Sequence, residues 1–410
     1  AKYCPGPHHR KCIICGKEFE LTYDQIMNKT QTCSEECRIG SSRMSYMGQE
    51  NGQSFHEFST DPVKWIHDNY GDEHPTYFQI CSKLNRPHST VQQCIDRNVC
   101  SHLITKYVST MEQEVTAFIR EDLPDVLIQH NDRNAIKPKE LDIYIPQLGL
   151  AIECDPTYTH NSSTGAHREP PVPSDYHKMK TDKCEQVGIF LFHIFGYEWT
   201  NKKPIIQSMI RNLLGKNNNR IYARKCEVRE VDAKTSYTFL QDNHRQGGVH
   251  SKVRLGLYYE DNLVSIMTFG NMRKTIGTGK DDLVDCWELV RFCNKLDTSV
   301  IGGASKLFSY FVKYYQPDRI RSFSDRAHTR GTLYSKLGFN EVTRSDPNYV
   351  WVNVETDKAY HRANAQKQNI KKFLHDDSID LTKTEREIMT EHGYVQVFDS
   401  GTITWEWMHK

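Results

Sequence analysis

The stretch Glu140-Leu-Asp142-Ile-Tyr-Ile-Pro-Gln-Leu-Gly-Leu-Ala-Ile-Glu153-Cys-Asp155-Pro-Thr-Tyr-Thr-His160 decides the central fold. It reads as two short apolar strands joined by a Pro-Gln-Leu-Gly turn. Asp142 and Glu153 sit on the two strands, and an acid and an imidazole, Asp155 and His160, follow the second. Such a hairpin brings carboxylates from both strands to one end of a sheet. Carboxylate oxygens there suit Mg²⁺, which is usually held by one or two acids and keeps water and phosphate in its shell. Attack on a phosphodiester uses such an ion to lower the pKa of a water and to neutralise phosphate charge. The stretch therefore predicts a Mg²⁺-dependent nuclease with Asp142 and Glu153 as metal ligands.

Its neighbours extend the pattern. Upstream, Met111, Val115, Phe118 and Ile119 recur at helical spacing, so a helix carries Glu112 or Glu114 towards the hairpin. Downstream, Tyr176 to Gln186 reads as a helix bearing His177 and Lys180, followed by a buried apolar strand over 189 to 195. In this order the segment from about 105 to 214 resembles the very-short-patch-repair type endonucleases. It is most similar to the phage homing branch often called EDxHD, within the PD-(D/E)xK superfamily. The resemblance implies a central α/β nuclease in which Asp142 is the principal metal ligand and Glu112 the helix acid. His160 is implied beside the scissile phosphate, as general acid/base or phosphate partner, with Glu153, Asp155 and His177 as further catalytic positions. Lys180 is implied as the superfamily's lysine, although it is not in the E-x-K position after Glu153, and Asp155 stands where the repair enzymes place a His.

Composition sets the outer bounds. A chain of 410 residues has room for about two to four domains. The net charge of +1 gives no global argument for nucleic acid, so any DNA contact must come from local basic faces. No apolar run approaches the roughly 18 residues of a membrane span, and no signal peptide is indicated, so a cytoplasmic protein without a membrane partner is expected. Thirteen Cys, an odd count without an export signal, argues against a disulfide framework and for metal binding or burial.

Four of these cysteines form two knuckles, Cys12-Ile-Ile-Cys15 and Cys33-Ser-Glu-Glu-Cys37. Paired thiolates at this spacing close a tetrahedral structural Zn²⁺ site and leave no open position for chemistry. The segment 1–50 resembles the small zinc ribbons beside phage homing nucleases, where they clamp DNA. Residues 51–104 include Thr76 to Arg97, which reads as a helix-turn-helix packed through positions 80, 84, 91 and 95, with Ser89 as N-cap. Thr90, Gln92, Gln93 and Arg97 then face outward, where a recognition helix meets double-stranded DNA.

Beyond the nuclease segment, 215–226 is polar and turn-rich and reads as a linker. From 227 to 356 the chain changes character. It offers a hairpin over 253 to 269, a strand from Trp287 to Cys293, a Gly302-Gly303-Ala304 turn opening a helix, and Leu333-Tyr334-Ser-Lys-Leu-Gly338-Phe339. This order resembles the GNAT acyltransferase fold, in its Mom-like phage branch, an α+β domain. In that family the Gly-rich turn binds the coenzyme A pyrophosphate through backbone N–H groups and the helix dipole. Here Ser299 replaces the usual Arg or Gln at the start of the loop, so coenzyme A is expected to be unlikely. His244, Asp325, Arg326 and Tyr334 are polar candidates for a pocket there. The tail, 357–410, reads as a basic helix (Arg362, Lys367, Lys371, Lys372) and a closing hairpin.

The expectation is thus a multidomain α/β protein: a site-specific DNA endonuclease of homing type. Two alternatives stand beside it, a DNA-base-modifying acyltransferase and a non-catalytic DNA-binding protein with a decayed nuclease centre. Monomer and dimer are both open.

Overall fold

The computed structural model describes residues 8–11, 17–21, 49–71, 75, 77–98, 100, 109–162, 172–272 and 286–409. The chain divides into two compact units, Ala1–Val108 and Ser109–Lys410. In the first, β1 (His8–Lys11) and β2 (Glu18–Leu21) pair antiparallel. The expected zinc ligands Cys12, Cys15, Cys33 and Cys37 lie outside the described residues. Four helices follow: α1 (Gln49–Thr60), α2 (Pro62–Tyr70), α3 (Tyr77–Leu84) and α4 (His88–Arg97). Asp61 starts α2 by accepting the Lys64 N–H at 3.0 Å, with Pro62 in the first turn, where its missing N–H costs nothing. Ile80, Leu84, Val91 and Ile95 are fully buried against Phe58, Trp65 and Ile66, so the apolar spacing does pack α3 on α4. Pro87, not Ser89, occupies the cap position of α4, and no side chain caps it.

The second unit begins with α5 (Thr110–Asp122), set by a reciprocal capping box between Ser109 and Glu112. Then come β3 (Gln129–Asp132), β4 (Leu141–Ile145), β5 (Leu150–Asp155), α6 (Tyr176–Gln186), β6 (Phe190–Phe195) and α7 (Gly196–Leu213). The strands form one sheet in the order β3-β4-β5-β6, antiparallel except for the parallel pair β5 and β6. Every residue of β5 and β6 is buried. Apolar side chains of α5 and α7 cover one face, and Cys184 of α6 packs into the core on the other. A strand covered on both faces reads as a continuous apolar run, which is why Phe190 to Phe195 shows no alternation.

A larger sheet holds most of the remainder: β8 (Glu227–Glu230), β9 (Val253–Tyr259), β10 (Asn262–Asn271), β11 (Cys286–Asn294), β13 (Arg319–Asp325), β18 (Thr402–Met408) and β14 (Asn340–Arg344), in the order β14-β18-β13-β11-β10-β9-β8. On one face lies α9 (Gly303–Tyr315), whose Phe311 stacks on Phe269 at 3.5 Å between ring centroids. α8 (Ala233–Asn243) contributes Leu240 to a separate core with Val231 and Ile266. β15 (Tyr349–Asn353), β16 (Ala359–His361) and β17 (Tyr394–Phe398) make a third sheet, packed by α11 (Lys367–Leu374) and α12 (Glu385–Glu391). α10 (Thr332–Lys336) joins β13 to β14.

Two segments differ from the sequence reading. The stretch 215–226 is not a bare linker: it contains β7 (Asn219–Tyr222), which pairs in parallel with β12 (Thr298–Ile301). The closing hairpin does not form. β17 pairs with β15, whereas β18 inserts between β13 and β14, so its partners lie some 60 to 90 residues earlier. The two larger sheets are joined where Phe195 shares a core with Ala327, Val352 and Val397, and the His193 N–H donates to the Ala327 carbonyl at 2.9 Å. Among the described residues no helix is long and apolar enough to cross a membrane.

Candidate active site

The seven-stranded sheet is split at its centre. β11 and β13 pair in parallel only over Cys286–Glu288 and Arg319–Arg321, and the rest of each strand finds no partner in the other. A register shift against β10, from Thr268↔Arg291 to Phe269↔Leu289, leaves Val290 as the extra residue of a bulge. A bulge bends its strand and re-aims its side chains, and here it turns β11 away from β13. The Ser322 hydroxyl ties the apex by donating to the Leu289 carbonyl at 2.8 Å.

Cavities open on the wedge. One of about 360 Å³ is lined by Arg291 to Leu296, Phe323 to Asp325, His244 and Tyr334. Another of about 930 Å³ is lined by Glu288, Tyr197, Asn201, Tyr349, Tyr360 and His361. They share Arg245, Gln246, Val290, Arg291, Phe323 and Asp325, so ligands in the two would meet at the wedge. The Tyr334 hydroxyl lies 3.0 Å from Ser322 Oγ and 3.4 Å from the Phe323 carbonyl, and its ring stacks on Trp405. Burial raises its pKa, so it keeps its proton. Burial, reinforced by Arg291, Arg245 and Lys202, lowers His244 to about 3 and leaves it neutral.

Beneath both cavities lies a buried ionic network. Arg245 bridges Glu198 and Asp325, and His328 joins the same two acids at 3.0 and 3.2 Å. Burial works against charge on Glu198, but Arg245 and His328 outweigh it and hold its pKa at about 2.

Beyond Thr298, which lines the smaller cavity, β12 runs into Gly302, which has φ +78° and serves as the N-cap of α9 without any side-chain cap. A Cβ on Gly303 would stand 2.9 Å from Val300 Cγ1, so the close approach of loop and helix needs glycine there. Ser299 faces Arg220 across the β12–β7 pair and takes a hydrogen bond from Asn217 at 2.8 Å.

A second cluster lies on the four-stranded sheet. Asp142 and Glu153 are adjacent across β4 and β5, as the hairpin reading required. Glu153 is ion-paired to Lys180, and Asp142 accepts the Cys154 N–H at 2.8 Å. Burial raises both carboxyls; the charge of Asp142 pushes Glu153 further up, whereas the hydrogen bond with Glu153 works to lower Asp142. Glu112 is used as a helix cap and is raised to about 7 by burial and by Asp142. Asp155, His160 and His177 do converge, joined by His193, which sequence reasoning missed. The available signal was a polar residue inside the apolar run Phe190 to Phe195. Burial opposes ionisation of Asp155, yet the three imidazoles hold its pKa well below the usual range. On α4, Thr90 is half-buried, Gln92 donates to Asp96 at 2.8 Å, and Gln93 and Arg97 are exposed.

Residues 225–404 match the model of the Mom protein family. No curated protein matches the chain. Among solved structures, the chain is similar to a Bacillus subtilis acetyltransferase in complex with CoA, at 12% identity and a TM-score of 0.26, covering 45% of this chain and 100% of that one. It is also similar to an N-acetyltransferase from Staphylococcus aureus, at 12% identity and a TM-score of 0.25, covering 45% and 99%.

These findings correct the enzyme class expected from the hairpin. The match of residues 225–404 to the Mom family overturns the DNA endonuclease of homing type and its hydrolase chemistry. The physical counterpart is that Asp142 and Glu153, expected as Mg²⁺ ligands, spend their carboxylates on a backbone N–H, on Lys180 and on each other. A CoA-bound acetyltransferase among those chains likewise overturns the expectation that coenzyme A is unlikely. The comparisons lend neither Mg²⁺ nor a zinc ribbon support.

Proposed function

We propose that the chain is a DNA-modifying enzyme whose C-terminal part transfers an acyl group from a coenzyme A thioester to an amino group of a DNA base. The observation that carries this reading is the wedge between β11 and β13, with two cavities that share its residues. The match of residues 225–404 to Mom, a family associated with DNA modification, supports DNA as the acceptor.

The residues that flank Asn217 and Thr298, two lining residues of the smaller cavity, fit the donor. The uncapped first turn of α9 leaves backbone N–H groups for a pyrophosphate. Arg220, opposite Ser299, supplies the long cationic side chain that the loop itself lacks, and Arg224 is exposed on the segment that follows β7. When bound, an acyl-coenzyme A thioester supplies an activated acyl carbon and a thiol leaving group. On the acceptor side, Tyr197, Tyr349 and Tyr360 offer flat faces of the kind that hold a base taken out of the stack. The carboxylate of Glu288 accepts the proton from the base amine as the N–C bond forms, and Tyr334 returns a proton to sulfur as the C–S bond breaks.

Full-length protein incubated with DNA and acetyl-coenzyme A should add mass to one base that carries an exocyclic amine, read by mass spectrometry of the nucleosides. Arg220→Ala should weaken coenzyme A binding in calorimetry by about tenfold or more, the worth of a hydrogen bond to a charged group. Absence of both a mass shift and coenzyme A binding would overturn the reading.

A further inference from the structure

Asp155 closes β5, His160 lies on the loop that follows it, and His177 stands in the first turn of α6. Three of their atoms converge. Asp155 Oδ1 is 2.9 Å from His160 Nδ1 and 3.4 Å from His177 Nε2, and the two nitrogens are 3.2 Å apart. In a tetrahedral site with metal–ligand bonds of about 2.0–2.1 Å, ligand atoms stand about 3.3–3.4 Å from one another, and somewhat closer at higher coordination. The triangle has those dimensions.

The protons point the same way. His177 Nδ1 lies 2.7 Å from the Phe398 carbonyl, which can only accept, so Nδ1 carries the hydrogen. In the neutral ring Nε2 then presents its lone pair to the cluster. Asp155 Oδ1 is fully buried between the two imidazoles, while Oδ2 is held by His193 Nδ1 at 2.8 Å. His193 is itself anchored 3.0 Å from Thr181 Oγ1. A histidine tied through its other nitrogen to a carbonyl, and a carboxylate oriented by a further hydrogen bond, are the supports that metal ligands usually have. The Asp155 oxygen, the His177 lone pair and the inner nitrogen of His160 face one point, and either a proton on that nitrogen or a cation between the three offsets their repulsion.

We propose that Asp155, His160 and His177 bind a divalent first-row transition metal ion. Two imidazoles and one carboxylate favour such an ion over Ca²⁺ or Mg²⁺, whose ligands are oxygens. Three protein ligands leave at least one position for water or an anionic oxygen. His160, 13% exposed where Asp155 and His177 are nearly sealed, marks the open side. This site is separate from the β11–β13 wedge and independent of the acyl-transfer reading.

Cobalt is the probe. Full-length protein stripped with chelator and titrated with Co²⁺ should bind one equivalent more than His160→Ala does. The difference spectrum should lack the charge-transfer bands of sulfur ligands, which separates this ion from any held by cysteines. In wild-type protein, saturating Co²⁺ should also protect His160 from diethyl pyrocarbonate, read by peptide mass spectrometry, and this needs no variant to fold. Equal stoichiometry in the two folded proteins, or unchanged labelling of His160, would mean that the cluster holds only a proton and would overturn the proposal.

Discussion

Glu288→Gln is expected to lower the rate of base modification by about 10²- to 10⁴-fold, the usual cost of losing a general base. Glu288 is the last residue of β11 paired with β13, and it is 1% exposed to solvent. It lines the cavity on the acceptor side, at the point where the strands part. Glutamine keeps the shape of the side chain and most of its hydrogen bonding but cannot take a proton. The loss should therefore fall on kcat, with the KM for coenzyme A thioester near that of the wild type. Steady-state kinetics on a DNA substrate check this. A kcat within a few-fold of wild type would remove Glu288 from the chemistry.

Arg245→Met should destabilise the second unit by about 3–5 kcal/mol, because it leaves buried acids without their cation. Arg245 is the shared partner of Glu198, on α7, and Asp325, at the end of β13. Its removal leaves His328 as their remaining basic partner in a region where burial already disfavours their charge. Replacing Glu198 as well should recover part of the loss, and a denaturant melt of the single and double variants measures the coupling. The network also predicts acid sensitivity. Glu198 has its pKa lowered from 4.5 to about 2, so its contribution is complete above about pH 4.5 and is lost as the pH falls towards 2. A single variant with wild-type stability would show that water or rearrangement replaces the guanidinium.

Local patterns are legible in the sequence where periodicity or chemistry repeats over a short span. Met111, Val115, Phe118 and Ile119 announce α5, and the run from Glu140 to Asp155 announces the β4–β5 hairpin with its two adjacent acids. Gly302-Gly303-Ala304 marks the start of α9. The same acids also show how a local motif can mislead. Asp142, Glu153 and Lys180 do come together, but nothing in their spacing tells whether the carboxylates stay open to an ion or are consumed by neighbours. Long-range pairing is invisible for a different reason. The wedge depends on which residues of β11 fail to meet β13, and the bulge at Val290 leaves no mark in composition. Arg245 and His328 read as ordinary loop residues until α7 is placed beside them. His177 reads as one catalytic position among several, and only the carbonyl of Phe398, 221 residues later, fixes which of its nitrogens carries the hydrogen.

The placement of β18 has a consequence for synthesis. β13 is flanked by β11, which leaves it after three residues, and by β18, which pairs with it along its whole length from Arg319 to Asp325. Among the described residues β18 is also the only strand partner of β14. As the chain leaves the ribosome, β13 and β14 therefore emerge well before the strand that joins them, and a nascent chain halted near residue 400 carries two unsatisfied strand edges. Such edges pair readily with other chains. Translation of residues 402–408 is then the step that converts an association-prone intermediate into a joined sheet, and chaperones that shield nascent chains would have most to do in that interval.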